Sequence, residues 1–537
     1  MAFKTYDIRD KIDISISLSN YISPTSEVRQ LEGLINDLDT SMIEETYSPY
    51  GQKAYHPKQL LSIIFYGYMK GIRSGRKLSK ACKENINFIY LSRECQIGKS
   101  TFNDFRAAHH KHFSSLFIQI VQKSIDLGLC DASLSIIDGS KIRSNSSKKR
   151  SKSFDKYEKW QTTLLEDIEE LEELLASDGM SDDKNIDNRL LLSSQLDSKK
   201  TLLDKVEQQI ELIPTPKSSN EKTSSTTKNS DVNLTDIDAP LMKGKKNDFN
   251  TYYNVQVSCC ENQMIAFNDV VQDCNDKALL IPCIEGTIQN TGQTVKKALA
   301  DAGYGTLESL DYMNNHNIDG YVPFTNMNTT YDKLPFHASH FTYNYKADTY
   351  TCPKGQILEF YKITHDKRRN QTLKNYRTTE LRTCKNCPFR EQCAGKKRAR
   401  RVIQRDTREH LREQMKLKLN SIEGRTTYNR RCHPVEAIFG HLNFNLGYSI
   451  FLLRGLSKVK AEFNIMCSAF NLMKIINLMN NKFNIYIDFL ISGALYSLIL
   501  DKPLLYNFIS NMSMNFFDIS FTLNYNFIYF NRYNISP

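Results

Sequence analysis

A chain of 537 residues, 40% hydrophobic and 24% charged, is too long for one ordinary domain and too rich in apolar residues to be a disordered polyelectrolyte. The 71 Lys and Arg outnumber the 60 Asp and Glu, and the net charge of +11 favours a polyanionic partner. Thirteen scattered cysteines and the polar start Met-Ala-Phe-Lys-Thr-Tyr-Asp point to a reducing cytoplasm; the longest apolar run, Ile485 to Leu500, contains Asp488 and falls short of the roughly 20 residues a membrane span needs.

Residues 1–125 are predicted to be a helical N-terminal domain. Leu60, Leu61, Ile64, Phe65 and Tyr68 recur at helical spacing behind Pro57, which suits a first helical turn. Further helices are expected around Leu78 to Lys83 and Ser100 to His110, with Ser100 as a cap. Arg73, Arg76, Lys77, Lys80, Lys83, Lys99 and Arg106 make this region basic. A helix-turn-helix-like DNA reader and a small bundle with a wet basic face explain that charge equally well.

Residues 126–478 read as a second domain. Two short apolar runs, Ser135-Ile136-Ile137-Asp138-Gly139 and Ala298-Leu299-Ala300-Asp301-Ala302-Gly303, each end on an aspartate followed by glycine, predicting carboxylates where a strand leaves the core. Between them, 150–245 forms an insertion: two acidic amphipathic segments, carrying Leu164, Ile168, Leu171, Leu174 and Leu175 and then Leu190 to Ile213, predict a helical hairpin. The Ser, Thr, Lys and Asn-rich stretch Ser218 to Asn229 is predicted to be a flexible linker. Strands are expected at Tyr252 to Ser258, Met264 to Val271, Val295 to Asp301 and Asp319 to Phe324, with a helix at Lys277 to Gln289 and a cap at Thr306. This order predicts an α/β protein with a ribonuclease-H-like mixed sheet as its core. Residues 336–405 turn aromatic, basic and Cys-rich, a second insertion, and 479–537 form an apolar tail rich in Asn and aromatics, of unknown role.

The two aspartates suggest metal chemistry. With a third acid from a helix they would hold Mg²⁺ ions that activate a nucleophile and stabilise the leaving oxygen of a phosphodiester. Glu436, behind Pro434 on a helix with an apolar face of Val435, Ile438, Phe439, Leu442 and Leu446, is the candidate; an ordinary acid in a first helical turn is the competing reading. Lys141, Arg143, Lys148, Lys149 and Arg150 follow Asp138 closely enough to hold the phosphates of the scissile strand, as could Arg454, Lys458 and Lys460 downstream; surface cations are the competing reading, and the functional one is favoured for Lys141 and Arg431. Cys352, Cys384, Cys387 and Cys393 include a C-x-x-C pair suited to tetrahedral Zn²⁺, and a structural zinc and four free thiols both remain open.

The chain also resembles the bacterial DDE-type insertion-sequence transposases with an InsH-like N-terminal domain. The resemblance rests on Tyr55-His56-Pro57, Asp138-Gly139-Ser140-Lys141-Ile142 with Asn145, Thr235-Asp236 with Lys245-Lys246, and Tyr253-Asn254-Val255-Gln256. It continues through Asp301-Ala302-Gly303-Tyr304-Gly305, the set Tyr428, Arg431, Glu436, Phe439 and Gly440, and Leu453-Arg454-Gly455-Leu456 with Glu462. It implies that Asp138, Asp301 and Glu436 bind Mg²⁺ or Mn²⁺ as a catalytic triad and that Tyr428 and Arg431 contact the transposon end. It also implies that the partners are double-stranded transposon-end and target DNA, and that a homodimer forms the synaptic complex. Asn443 stands where the family usually has lysine. The alternatives are a DNA-binding protein whose active site has decayed and a ribonuclease-H-like nuclease without strand transfer.

Overall fold

The computed structural model describes residues 21–48, 50, 53–177, 186–212, 231–244, 248–324, 334–366 and 371–497. The expected linker at 218–229, Lys245 and Lys246, and residues 498–537 lie outside them. The described residues before Leu127 are helical, with main helices Glu27–Asn36, Pro57–Met69, Gly75–Glu84, Lys99–Ala108 and Phe113–Asp126. Pro57 occupies the first turn as expected, and its helix buries Leu60, Leu61, Ile63, Ile64 and Phe65, more than one face. Ser74 caps the next helix by accepting from the Lys77 N–H at 3.3 Å. Ser100 is not a cap. It lies inside Lys99–Ala108, where Gly98 holds the cap position without a side-chain bond.

Two of the basic residues read as surface are core. Arg106 is 3% exposed, donating to the Arg73 carbonyl at 2.7 Å and the Tyr68 hydroxyl at 3.2 Å. Arg73 is 8% exposed and pairs with the buried Glu462 carboxylate at 3.2 Å. Arg76, Lys77, Lys80, Lys83 and Lys99 remain exposed.

The central sheet is mixed. Its strands are β1 (Leu134–Arg143), β2 (Leu241–Lys243), β3 (Phe249–Cys259), β4 (Ile265–Val271), β5 (Lys297–Leu299) and β6 (Asp319–Tyr321). The order is β2-β3-β1-β5-β6, with β4 also on β3. β1 runs antiparallel to β3 and parallel to β5, and β5 runs parallel to β6. Side chains alternate across the sheet. Ile137 therefore enters the core formed with Leu280, Cys283 and Ile284 of helix Leu280–Thr291, and Asp138 takes the other face. The helix Cys432–Gly440 packs against β1 and β3.

Asp138 was expected at a strand end and instead lies mid-strand, because Gly139 makes no turn. It stays in the ladder opposite Gln256, where a Cβ would come within 2.4 Å of the Gln256 amide nitrogen. Gly139→Ala is accordingly expected to cost about 1–3 kcal/mol by overpacking, measured by chemical denaturation; an unchanged midpoint would show that the amide yields freely.

The helical hairpin, Phe154–Ser177 and Ile186–Leu212, closes on Tyr157, Leu164 and Val206, while Leu174 is exposed. The Cys-rich insertion holds a five-stranded antiparallel sheet of Thr342–Asn344, Thr349–Thr351, Ile357–Asp366, Gln371–Arg377 and Ile403–Asp406. Arg405, in the basic run there, is buried in a two-pronged pair with Glu413 at 2.9 and 2.8 Å.

The chain divides into compact units Met1–Lys474 and Ile475–Pro537, and among the described residues no helix is long and apolar enough to cross a membrane. Within the first unit, distant motifs knit together. Asn145 donates to the Leu452 carbonyl at 2.9 Å, Arg454 Nε to the Asn145 carbonyl at 2.7 Å, and Tyr253 and the Gly455 N–H to Asp236 at 2.8 and 3.0 Å.

Candidate active site

β1 and β5 are neighbours, paired from Leu134 with Lys297 to Ile136 with Leu299, so Asp138 and Asp301 both lie two residues past the last paired positions. Asp138 accepts from the Gly139 N–H at 2.9 Å. Asp301 caps the short 3-10 turn Ala302–Tyr304 by accepting from the Gly303 N–H at 2.8 Å. These local bonds hold both carboxylates close to their own backbones, which limits their rotamers.

The residue that reaches Asp138 from the 432–440 helix region is Arg431, its N-cap, with Nη1 3.6 Å from Asp138 Oδ2. Burial works against the Arg431 charge, but Asp138, Tyr428, Cys432 and Asp301 together hold the guanidinium above its usual value. Both aspartates thus act on one cation. Arg431 lies 5.8 Å from the centre of the Tyr428 ring, and burial raises the Tyr428 phenol while Arg431 opposes the rise. Arg431 Nε is buried without a partner among the described residues.

Glu436 is exposed on the same helix, whose Val435, Ile438, Phe439 and Leu442 are buried as expected; Leu446 is half-buried. Pro434 is the third helical residue, not the first, and its missing N–H falls among the unpaired donors of the first turn. The helix ends in a π turn, His441–Asn445, that includes Asn443. Lys141 is not brought to the aspartates. Three residues on from Asp138 it takes the opposite face of β1, and its ammonium donates to the Lys243 carbonyl at 2.9 Å. Arg454 is exposed.

Sequence reasoning missed the polar layer on the Gly139 side. Tyr304, fully buried, donates its hydroxyl to Gln256 Oε1, and Gln256 Nε2 and Asn254 Nδ2 donate to Asp276 Oδ1 at 2.9 and 2.8 Å. Burial first, then Cys283, Asp276, Asp138 and Asp301, push the Tyr304 phenol well above its usual range. The available signal was two amides, Asn254 and Gln256, at alternate positions within the buried stretch of β3.

The four cysteines of the inserted sheet, all free and half-buried, line one cavity. Cys352 Sγ accepts from the Lys354 and Gln356 N–H groups at 3.4 and 3.3 Å. Burial raises the Cys393 thiol; Arg401 opposes the rise, and Cys384, Cys352 and Cys387 add to it. Among the described residues no three His, Cys, Asp or Glu side chains stand together in a metal-holding arrangement. The donor chemistry nevertheless suits metals in both places: hard carboxylate oxygens at Asp138 and Asp301 for Mg²⁺, four sulfurs for Zn²⁺.

Two family models match the chain. One, described as a transposase domain (DUF772), covers residues 16–108; the other, described as a transposase DDE domain, covers 351–476, which includes the four cysteines and Glu436 but neither Asp138 nor Asp301. No curated protein and no solved structure matches. An N-terminal transposase domain followed by a DDE domain, in the order that the motifs follow, indicates a DDE-type insertion-sequence transposase.

Proposed function

We propose that the chain is a metal-dependent DNA transposase that binds terminal inverted repeats, cuts a phosphodiester to free a 3′ hydroxyl, and joins that hydroxyl to target DNA. The observation that carries this reading is that Asp138 and Asp301 each follow by two residues the last paired position of neighbouring strands, with Arg431, beside the helix that bears Glu436, 3.6 Å from Asp138. The sheet order, with β1 antiparallel to β3 and parallel to β5, supports a ribonuclease-H-like core. In this reading Asp138, Asp301 and Glu436 hold Mg²⁺ or Mn²⁺. Bound there, the ions supply an activated nucleophile and charge neutralisation at the leaving oxygen. Arg431 orients Asp138 and offers its remaining N–H groups to a phosphate, a geometry suited to its planar fork. Tyr428 and Arg454 take neighbouring DNA contacts, and Lys141, on the far face, is left to outer backbone contact. A homodimer brings two ends together, at the bacterial nucleoid in the cytoplasm.

The test is incubation of the full chain with Mg²⁺ or Mn²⁺ and DNA carrying the element's own ends. Cut ends joined to target are expected. Cutting without joining would leave a nuclease, and binding without cutting a decayed DNA-binding protein.

Cys352, Cys384, Cys387 and Cys393 are assigned a structural Zn²⁺ that closes the inserted sheet. Support comes from their common cavity and from the two N–H groups directed at Cys352 Sγ. Protein purified without chelator should carry about one zinc per chain, and Cys384→Ser should lose it and melt at lower temperature. Metal analysis that finds no zinc would overturn the assignment.

A further inference from the structure

The layer beneath the two aspartates has a fixed hydrogen-bond direction. A glutamine amide has one donor end and one acceptor end of nearly equal shape, so its surroundings decide which way round it sits. At Gln256, 1% exposed, two acceptors make the decision: Asp276 Oδ1 and Asn254 Oδ1 draw the NH₂ end at 2.9 and 3.1 Å and leave Oε1 to receive the Tyr304 hydroxyl. Asn254, 2% exposed, adds a second donor to the same Asp276 oxygen at 2.8 Å.

The two ends of this chain of bonds lie at the two aspartates. Gln256 is paired with Gly139, the residue after Asp138, and Tyr304 closes the turn that Asp301 caps. Asp276 touches both places: a Cβ built on Gly139 would be 3.2 Å from its Oδ1, and one built on Gly303 would be 3.6 Å from its Oδ2. The two acceptors therefore set the amide, the amide pins the phenol, and the phenol fixes the Asp301 turn against the Asp138 strand.

We propose that Asp276 is a positioning residue for the metal site, acting through Gln256 and Tyr304 to hold Asp301 in register with Asp138. The inference rests on the reading of Asp138 and Asp301 as metal-holding carboxylates.

The experiment measures Mn²⁺ affinity of the full chain by electron paramagnetic resonance of free Mn²⁺, with thermal unfolding alongside. Asp276→Leu removes the shared acceptor, and Tyr304→Phe removes only the hydroxyl. Each is expected to weaken Mn²⁺ binding about 10–100-fold, the usual effect of losing an outer partner of a metal ligand. Asp276→Asn keeps an oxygen for both amide donors at the Oδ1 position and should retain most of the affinity. A purely structural role would lower the melting temperature and leave the Mn²⁺ affinity of the folded protein unchanged. Wild-type affinity in Asp276→Leu or in Tyr304→Phe, or Asp276→Asn no better than Asp276→Leu, would overturn the proposal. Should Asp276→Leu fail to fold, Tyr304→Phe decides alone. If wild-type binding is absent, or survives Asp138→Asn and Asp301→Asn, the underlying metal-site reading falls instead, and this inference with it.

Discussion

Asp301→Asn is expected to lower metal-dependent cleavage about 10³-fold or more, on the order of 4 kcal/mol of transition-state stabilisation, while leaving the fold intact. The substitution separates two jobs of one side chain. Asp301 Oδ1 caps the Gly303 N–H at 2.8 Å, and asparagine caps as well as aspartate does; what disappears is the negative charge. Glu436→Gln should be equally damaging and leave stability within about 0.5 kcal/mol, since Glu436 is exposed and forms no ion pair among the described residues. Asp138→Asn should abolish cleavage and also destabilise somewhat, because Arg431 loses its partner at 3.6 Å. A gel assay of end cleavage beside a melting curve checks all three. Asp301→Asn protein that cuts at more than about a tenth of the wild-type rate would remove Asp301 from the reacting centre.

The second large effect concerns stability. Glu462→Ala is expected to cost about 3–5 kcal/mol, the range for breaking a buried ion pair by removing one partner. The Glu462 side chain is fully buried. It accepts from the Leu452 N–H at 3.1 and 2.9 Å, from the Leu453 N–H at 2.9 Å and from Arg73 Nη1 at 3.2 Å. Truncation would leave a buried guanidinium and two backbone donors without that carboxylate. Glu462→Ala/Arg73→Met should recover part of the loss, because the stranded charge goes too. Urea denaturation measures both, and equal stability of Glu462→Ala and wild type would show that the pair contributes nothing.

Elements set by local pattern were legible in the sequence. The Pro57 helix, the hairpin of β3 and β4, and the Thr306 cap, which accepts from the Ser309 N–H at 3.1 Å, all follow from periodicity or turn chemistry. The errors have one origin, that composition does not reveal a partner far along the chain. Arg73 and Arg106 read as surface because their charge is visible and their burial is not; the carboxylate that admits Arg73 to the interior lies in a helix near the other end of the chain. Gly139 read as a turn because its real constraint, the Gln256 side chain, comes from β3. The same blindness hid Asp276, which in sequence is one of two aspartates in a short loop. Several motifs that carry the family resemblance, Asn145, Asp236, Tyr253, Gly455 and Glu462, prove to bond chiefly to one another and to nearby backbone. Their message is about assembly of the scaffold, and only a minority of the signature lies at the acids.

The clasp between Arg73 and Glu462, joined by the Arg73 bond to the Ile450 carbonyl at 2.9 Å, ties the N-terminal helical region to the segment that borders β1. The exposed Arg76, Lys77, Lys80 and Lys83 lie on the helix Gly75–Glu84 that follows Arg73, and Ile450 bridges directly to Arg143 at the end of the Asp138 strand. Under the proposed function, a duplex gripped by those cations would be presented to the acids at a fixed offset, and the count of base pairs between recognised sequence and cut would follow from a protein dimension. Lengthening the recognition-to-cut spacing by a few base pairs would then move the scissile bond out of reach, whatever the affinity of the grip.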